Sequence, residues 1–440
     1  MMKKIIEQIF LAGIEGVLPE KLIQTQMKRS EDVLQIAEKT FPLSRFRHIY
    51  VLAAGKAAAL MAKETENVLG DRITDGHVVT KYGHKTNLKY LTLTEAGHPI
   101  PDTEGVKGMQ KILNIIRQTN ENDLIIWLIS GGASALMADF PEGATLDDLK
   151  LTNELLVKCG ADITEINTVR KHLSKVKGGQ LARTLYPATT VCLILSDVIG
   201  NKLDVIASGP MVSDPTTFAD ALAVVEKYSL KDSLPIPMLR YLHEGANGSV
   251  PETPKPGNPI FQNVFNYIVG SNRIALENAA NKAREIGFEA HIITDNLEGD
   301  YQTVADFILE TIHDYQQPNL DKTTCLLFGG ESTVKVLGKG AGGRNQHLAL
   351  YLATRIDRKK NITVLCGGTD GTDGPTDAAG AIIDNETMAE AGKKNIDPYH
   401  YLSNNDSYRF FQQTGGHLIT GNTGTNVMDI IAVIISNPLE

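Results

Sequence analysis

Six short runs of the chain are apolar almost throughout and end on glycine: HIYVLAAGK (48–56), DLIIWLISGGAS (123–134), TVCLILSDVIG (190–200), NYIVGS (266–271), TTCLLFGGES (323–332) and ITVLCGGTDG (362–371). Runs of Val, Ile and Leu without polar alternation fit strands buried on both faces, as in parallel sheets covered by helices. Between them lie stretches with helical spacing, such as 57–70 and 272–287. Alternation of the two patterns predicts an α/β architecture. Ligands of open parallel sheets bind beyond the carboxyl ends of the strands, and all six glycine turns belong there.

Residues 244–263 interrupt the alternation with four prolines, three glycines and no apolar period. Such a stretch reads as a linker or long loop. The expected organisation is an N-terminal Rossmann-like, parallel-sheet domain over 1–245, a linker over 246–261 and a C-terminal α/β domain over 262–440. A chain of 440 residues suits this division.

Charge and composition narrow the function. A net charge of −9 argues against a general nucleic-acid binder, which would carry a basic face. No run of about 18 apolar residues is present, so no membrane span is expected. Glu7 interrupts the apolar start of the chain, which therefore does not read as a secretory signal. The four cysteines form no C-x-x-C pair and read as inert thiols of a reducing compartment. A cytoplasmic protein is expected; a homo-oligomer is left open.

The candidate chemistry clusters at the glycine turns. The stretch TVLCGGTDGTDGPTDAAGAII (363–383) sets Asp370, Asp373 and Asp377 among glycines. Carboxylates on such a turn are hard oxygen ligands, suited to Mg²⁺ or to a sugar-like hydroxyl. Lys56 follows Gly55 at a strand end and opens a helix, where a cation is ill placed unless an anion binds beside it. The turn Ser130-Gly131-Gly132-Ala133-Ser134 offers amides and hydroxyls to phosphate oxygens. Gly329, Gly330 and Glu331 form a similar turn, and Arg344 stands among glycines before an apolar helix. Arginine suits charge spread over a transferring phosphoryl group. Asp197, at the end of another strand, is a candidate metal ligand or general base. The basic stretch NTVRKHLSKVKGG (167–179), with Arg170 and Lys171, suits a carboxylate or phosphate, although a solvated basic face fits the same pattern. His98 stands on a Pro-flanked turn that borders these elements in the pattern.

Taken together, AAGKAAALMA, EAGHPIPD, SGGASAL, INTVRKHLSKVKGGQLA, LSDVIGN with DVIASGP, GGESTVKV, GGRNQHLALYLA and GGTDGTDGPTDAAGA resemble the glycerate 2-kinases with a C-terminal MOFRL domain. The matching segments run from about residue 48 to 430. The resemblance implies ATP-dependent, Mg²⁺-assisted phosphorylation of D-glycerate at its C2 hydroxyl. It also implies two α/β domains with the active site in the cleft between them, and catalytic roles for Lys56 and Arg344. On that basis Asp197 orients or deprotonates the hydroxyl, and some of Asp197, Asp370, Asp373 and Asp377 hold the metal, partly through water. Gly55, Ser130, Gly131, Gly132, Ser134, Gly329, Gly330 and Glu331 belong with the nucleotide, and Arg170 and Lys171 with the glycerate carboxylate. One departure is TGNTGTNVMDI, where the family pattern suggests TGPTGTNVNDL: Asn422 and Met428 differ. Hydroxypyruvate reductase and a non-catalytic sugar-acid binder are the competing functions. Against the reductase, none of the six candidate strands leads directly into a G-x-G-x-x-G turn.

Overall fold

The structure, a computed structural model, describes residues 1–315, 322–356 and 361–436. The chain forms two compact units, residues 22–269 and residues 1–21 with 270–440. This division corrects the expected boundary twice. The Pro-rich stretch ends in a strand, Val264–Gly270, that joins the N-terminal sheet. The first helix, Met2–Glu15, packs instead on helix Asn272–Glu285 of the other unit. It buries Ile6, Ile9, Phe10 and Ile14 there. An amphipathic helix must bury its apolar stripe, but its period does not name the partner.

Unit 22–269 starts with a small antiparallel sheet of β1 (Met27–Ser30), β2 (Val33–Ile36) and β3 (Lys39–Pro42). A six-stranded sheet follows, built from β4 (His48–Ala54), β5 (Asp75–Lys81), β6 (Thr92–Ala96), β7 (Asp123–Ile129), β8 (Thr189–Leu195) and β9 (Val264–Gly270). Its order is β6-β5-β4-β7-β8-β9. The β4–β5, β5–β6, β4–β7 and β7–β8 pairings are parallel, as the apolar runs predict. Leu52, Trp127, Ile125, Cys192 and Ile194 lie in its core. The chain grows outward from β4 in one direction and from β7 in the other. The point of reversal lies between those two strands, and such a switch point opens a crevice at the carboxyl ends.

The other unit holds β10 (Glu289–Asp300), β11 (Thr324–Thr333), β12 (Asn361–Gly368), β13 (Gly380–Asp384), β14 (His417–Leu418) and β15 (Asp429–Ser436). The order is β10-β11-β15-β12-β13-β14. Only the β10–β11 pairing is parallel; the other four are antiparallel. Continuous apolar runs pointed to a parallel sheet here, and the physical reason they mislead is burial. Helix Met2–Glu15 packs on β12 and β15, and helix Arg344–Arg355 packs on β11, β12 and β13. A strand such as β15, which is buried at Ile430 through Ile435, needs an apolar run whichever way it points. Because β15 is antiparallel, its first residue, Asp429, lies beside Gly330 and Gly368 at the ends of β11 and β12.

Three cysteines are inert core thiols: burial pushes the Cys325 pKa up to about 12 and raises those of Cys192 and Cys366 as well. Among the described residues, no helix is long and apolar enough to cross a membrane.

Candidate active site

The turns after β4 and β7 meet at the switch point. Gly55 has φ +137°, a conformation open to glycine, and a Cβ there would come within 2.1 Å of Ser130 Oγ. This close approach lets the turns interlock. Lys56 N donates to Gly131 O at 2.9 Å, and Ala57 N donates to the Ser130 hydroxyl at 3.0 Å. Ser130 Oγ therefore accepts from the N-cap residue of helix Ala58–Leu69, and its own O–H is not used in that bond.

The side chains around this junction differ in character. The Lys56 ammonium forms no ion pair among the described residues. A Cβ on Gly132 would lie 3.4 Å from Lys56 Cγ and 2.8 Å from His98 Nε2, and one on Gly131 would lie 1.9 Å from Asp197 Oδ2. A cation, an imidazole and a carboxylate thus flank two residues of bare backbone. Burial, then the charges of Lys56 and Lys81, push the His98 pKa down to about 4. Its ring is neutral at pH 7, with one nitrogen a donor and the other an acceptor.

In the other unit, the ends of β11 and β12 and the start of β15 gather Glu331, Asp370, Asp373, Arg344 and Asp429. Arg344 Nε donates to Asp429 Oδ2 at 2.6 Å and Nη2 to Asp429 Oδ1 at 2.9 Å, a bidentate fork. Glu331 Oε1 sits 2.6 Å from Nη1. Burial works against the guanidinium charge, but Asp429 and then Glu331 hold its pKa above the ordinary value. Asp429 is the member of this cluster that sequence reasoning missed. The available signal was an acid opening an otherwise apolar run, DIIAVIIS.

The aspartates of the acidic loop have separate tasks. Asp373 is buried and accepts from Asn345 N at 3.1 Å, Gln346 N at 2.8 Å and Gln346 Nε2 at 3.0 Å. It satisfies the open amides of helix Arg344–Arg355, whose own N-cap, Gly343, has no side chain. Burial, opposed by those amides, raises its pKa to about 6. Asp377 accepts from Tyr408 OH at 2.8 Å. Asp370 Oδ1 accepts from Thr372 N at 3.0 Å. Among the described residues, no three His, Cys, Asp or Glu groups gather as a metal site. Asp373 thus serves a helix and Asp377 a tyrosine.

Other expected ligand contacts have internal partners. Gly329 is bare because the Asn272 side chain fills the position of its Cβ, with Oδ1 only 1.6 Å from it. Ser134 Oγ lies 2.9 Å from Ser208 Oγ, which donates to Asn167 Oδ1 at 2.9 Å. Arg170 Nε donates to Asn153 Oδ1 at 2.8 Å, and burial lowers its pKa. Lys171 is buried, with Nζ 3.4 Å from Asp214 and 3.8 Å from Asp204. Lys171 and Lys177, which lies 3.2 Å from Asp139, are thereby paired from within, and helical spacing does not reveal this.

A glycine motif also lies away from the six strand ends. Residues 338–343, GKGAGG, spell G-x-G-x-x-G ahead of helix Arg344–Arg355. They do not follow β11 directly, as the dinucleotide fingerprint requires. Their amides are also engaged: Gly338 N with Asn405 Oδ1, Lys339 N with Asn404 Oδ1, Gly340 N with Asn404 O, and Ala341 N with Asp406 Oδ1.

Comparison with known proteins adds to this geometry. Residues 5–243 match a domain of unknown function, DUF4147, and residues 324–429 match the MOFRL family. A glycerate 2-kinase of Pyrococcus horikoshii is 42% identical over 97% of this chain and 95% of its own. The crystal structure of a glycerate kinase from Thermotoga maritima superposes with a TM-score of 0.87 at 40% identity, covering 99% of both chains. A protein of Agrobacterium vitis named as a putative hydroxypyruvate reductase is 39% identical over 88% of this chain and 86% of its own.

Proposed function

The chain belongs to the glycerate kinase family that joins these two domains, and we propose that it transfers the γ-phosphoryl group of ATP to the C2 hydroxyl of D-glycerate. The observation that carries the reading is Lys56 at the β4–β7 switch point: its ammonium has no ion pair among the described residues, its Cγ lies against the bare backbone of Gly132, and the Asp197 carboxylate lies against the neighbouring Gly131. Phosphoryl transfer asks a protein for positioning and charge neutralisation rather than covalent chemistry. Lys56 supplies a compact cation to the transferring phosphoryl group. Asp197 accepts a hydrogen bond from the C2 hydroxyl and takes its proton as the oxygen attacks the γ-phosphorus in line and the bond to the β,γ-bridging oxygen breaks, releasing ADP. Arg344, a fixed planar donor, stabilises the charge on the equatorial oxygens.

The donor set is compatible with Mg²⁺ in one manner. Hard cations in kinases keep several waters and lean on one or two carboxylates plus substrate phosphates. In such an arrangement Asp197, after β8, or Asp370, after β12, would supply a carboxylate. When bound, the cation neutralises polyphosphate charge, which an acidic loop would otherwise repel.

The reductase reading draws support from the name of one relative. The engaged amides of residues 338–341 count against it, as does the motif's place away from a strand end. One assay separates the two readings: D-glycerate with ATP and Mg²⁺, then hydroxypyruvate with NADH or NADPH, followed by phosphorus NMR and absorbance. 2-Phosphoglycerate in the first and no oxidation in the second is the expected result. Nucleotide oxidation without phosphorylated product would overturn the proposal.

A further inference from the structure

Arg344 is held by more than one layer. Its bidentate partner Asp429 is 1% exposed and opens β15. The backbone at that point is pinned in turn by Asn272, whose Nδ2 donates to Val427 O at 2.9 Å and Asp429 O at 2.8 Å. Met428, between them, sits at φ +71°, a conformation that an unbranched apolar side chain rarely takes. Its carbonyl accepts from Thr369 N at 3.0 Å and Thr369 Oγ1 at 2.6 Å. These hydrogen bonds and a strained residue together fix the direction of one carboxylate and the guanidinium it grips. A lone structural ion pair would need neither the strain nor the clamp.

We propose that Asp429 is the positioning residue for Arg344. It occupies Nε–H and one Nη2–H, and Glu331 takes Nη1, so the fork cannot rotate and its remaining N–H groups stay directed at one place. The inference rests on the kinase reading for the role of Arg344, but Asp429 itself comes from the geometry alone. Its contribution is orientation, which appears in turnover and not in ground-state affinity.

The test measures turnover and melting for the wild type, Arg344→Ala, Asp429→Asn and the double variant, with D-glycerate, ATP and Mg²⁺. Asp429→Asn is expected to lower kcat about 10–100-fold, the usual cost of losing an orienting partner, with KM for both substrates within about threefold. In the Arg344→Ala background the same change is expected to have almost no further effect, because there is no guanidinium left to orient. Guanidinium ion added to Arg344→Ala is expected to restore part of the turnover, and to restore less when Asp429 is also changed. Independent, multiplying losses in the double variant, or equal rescue in both backgrounds, would overturn the proposal. Should Asp429→Asn fail to fold, Asp429→Glu keeps the charge and enters the same cycle, where multiplying losses again overturn the proposal. Arg344→Ala turning over at the wild-type rate would remove the kinase role of Arg344, and this inference with it. A slow Arg344→Ala with an additive Asp429 variant sinks the inference alone.

Discussion

Lys56 and Arg344 both stand in glycine-rich turns before a helix, yet they are held in opposite ways. The backbone around Lys56 is engaged with the Ser130–Gly131 turn, and its ammonium is left without an ion pair among the described residues. The guanidinium of Arg344 is gripped by Asp429 and Glu331, while Asp373 satisfies the helix it opens. The first is a point charge on a flexible stem, the second a planar fork already held by two carboxylates. Removing each cation should therefore expose a different cost. Lys56→Ala should lower kcat/KM by roughly 10³–10⁵, about 4–7 kcal/mol of barrier, with an unchanged melting temperature. Arg344→Ala should slow turnover by about 10³ and also destabilise the fold by about 1–3 kcal/mol, because Asp429 is left buried without its cation. Equal melting of the two variants would break the comparison.

The same contrast sharpens the reading of Lys171, a cation that sequence spacing assigned to substrate. Its ammonium is buried against Asp214, which also accepts from Thr216 Oγ1 at 2.7 Å and Thr253 Oγ1 at 3.0 Å. Breaking a buried pair costs about 3 kcal/mol, since the remaining charge is stranded. Lys171→Ala should show that loss in urea unfolding, while KM for D-glycerate in the folded enzyme stays within about threefold. A KM raised tenfold at full stability would restore Lys171 to the substrate.

How far the sequence could carry these assignments follows from what each residue needs. The six apolar runs became β4, β7, β8, β9, β11 and β12; a doubly buried strand must be apolar throughout, and β9, half-buried over its first five residues, is the exception that carries Asn266. The turns after β4 and β7, with Lys56 and Gly131, followed from the same logic, whereas Gly329, Gly330 and Glu331, expected in a turn, lie inside β11, which runs on to Thr333 paired with β10. Strand direction did not, since β15 is as apolar as any parallel strand. Partnership did not either: nothing local ties Asp373 to the amides of residues 345 and 346, Asp429 to Arg344, or helix Met2–Glu15 to residues 272–285. Those pairings span 27 residues or more, with separations of 28, 27 and 85 for the three hydrogen bonds cited. A residue type announces what it can do; the fold chooses with whom.

Asp373 tests that point through pH. Its folded pKa of about 6 exceeds the ordinary 3.8, so between those values the folded state binds more protons than the unfolded state. Stability from this group is present below pH 4 and is lost as pH rises through 6, by about 3 kcal/mol in all. Asp373→Asn removes that titration. The stability of the wild type relative to this variant should fall between pH 4 and 6.5 in parallel urea titrations. A difference that grows with pH would mean that Asp373 is paired with a cation, as a metal ligand would be.

The smallest expected effect falls on Ser134. Its hydroxyl meets Ser208, a residue held at φ +60° and bonded onward to Asn167. Ser134→Ala leaves Ser208 one partner, so the loss should be about 1 kcal/mol, the net worth of a single neutral hydrogen bond. A hydroxyl bonded to nucleotide phosphate would instead contribute to binding, and its removal would raise KM for ATP. A stability loss with unchanged KM places Ser134 in the scaffold, and leaves Lys56 as the group of that turn region that meets the phosphate. A tenfold rise in KM without any change in melting would return Ser134 to the nucleotide and make the β7 turn, not Lys56 alone, the anion-binding element of its unit.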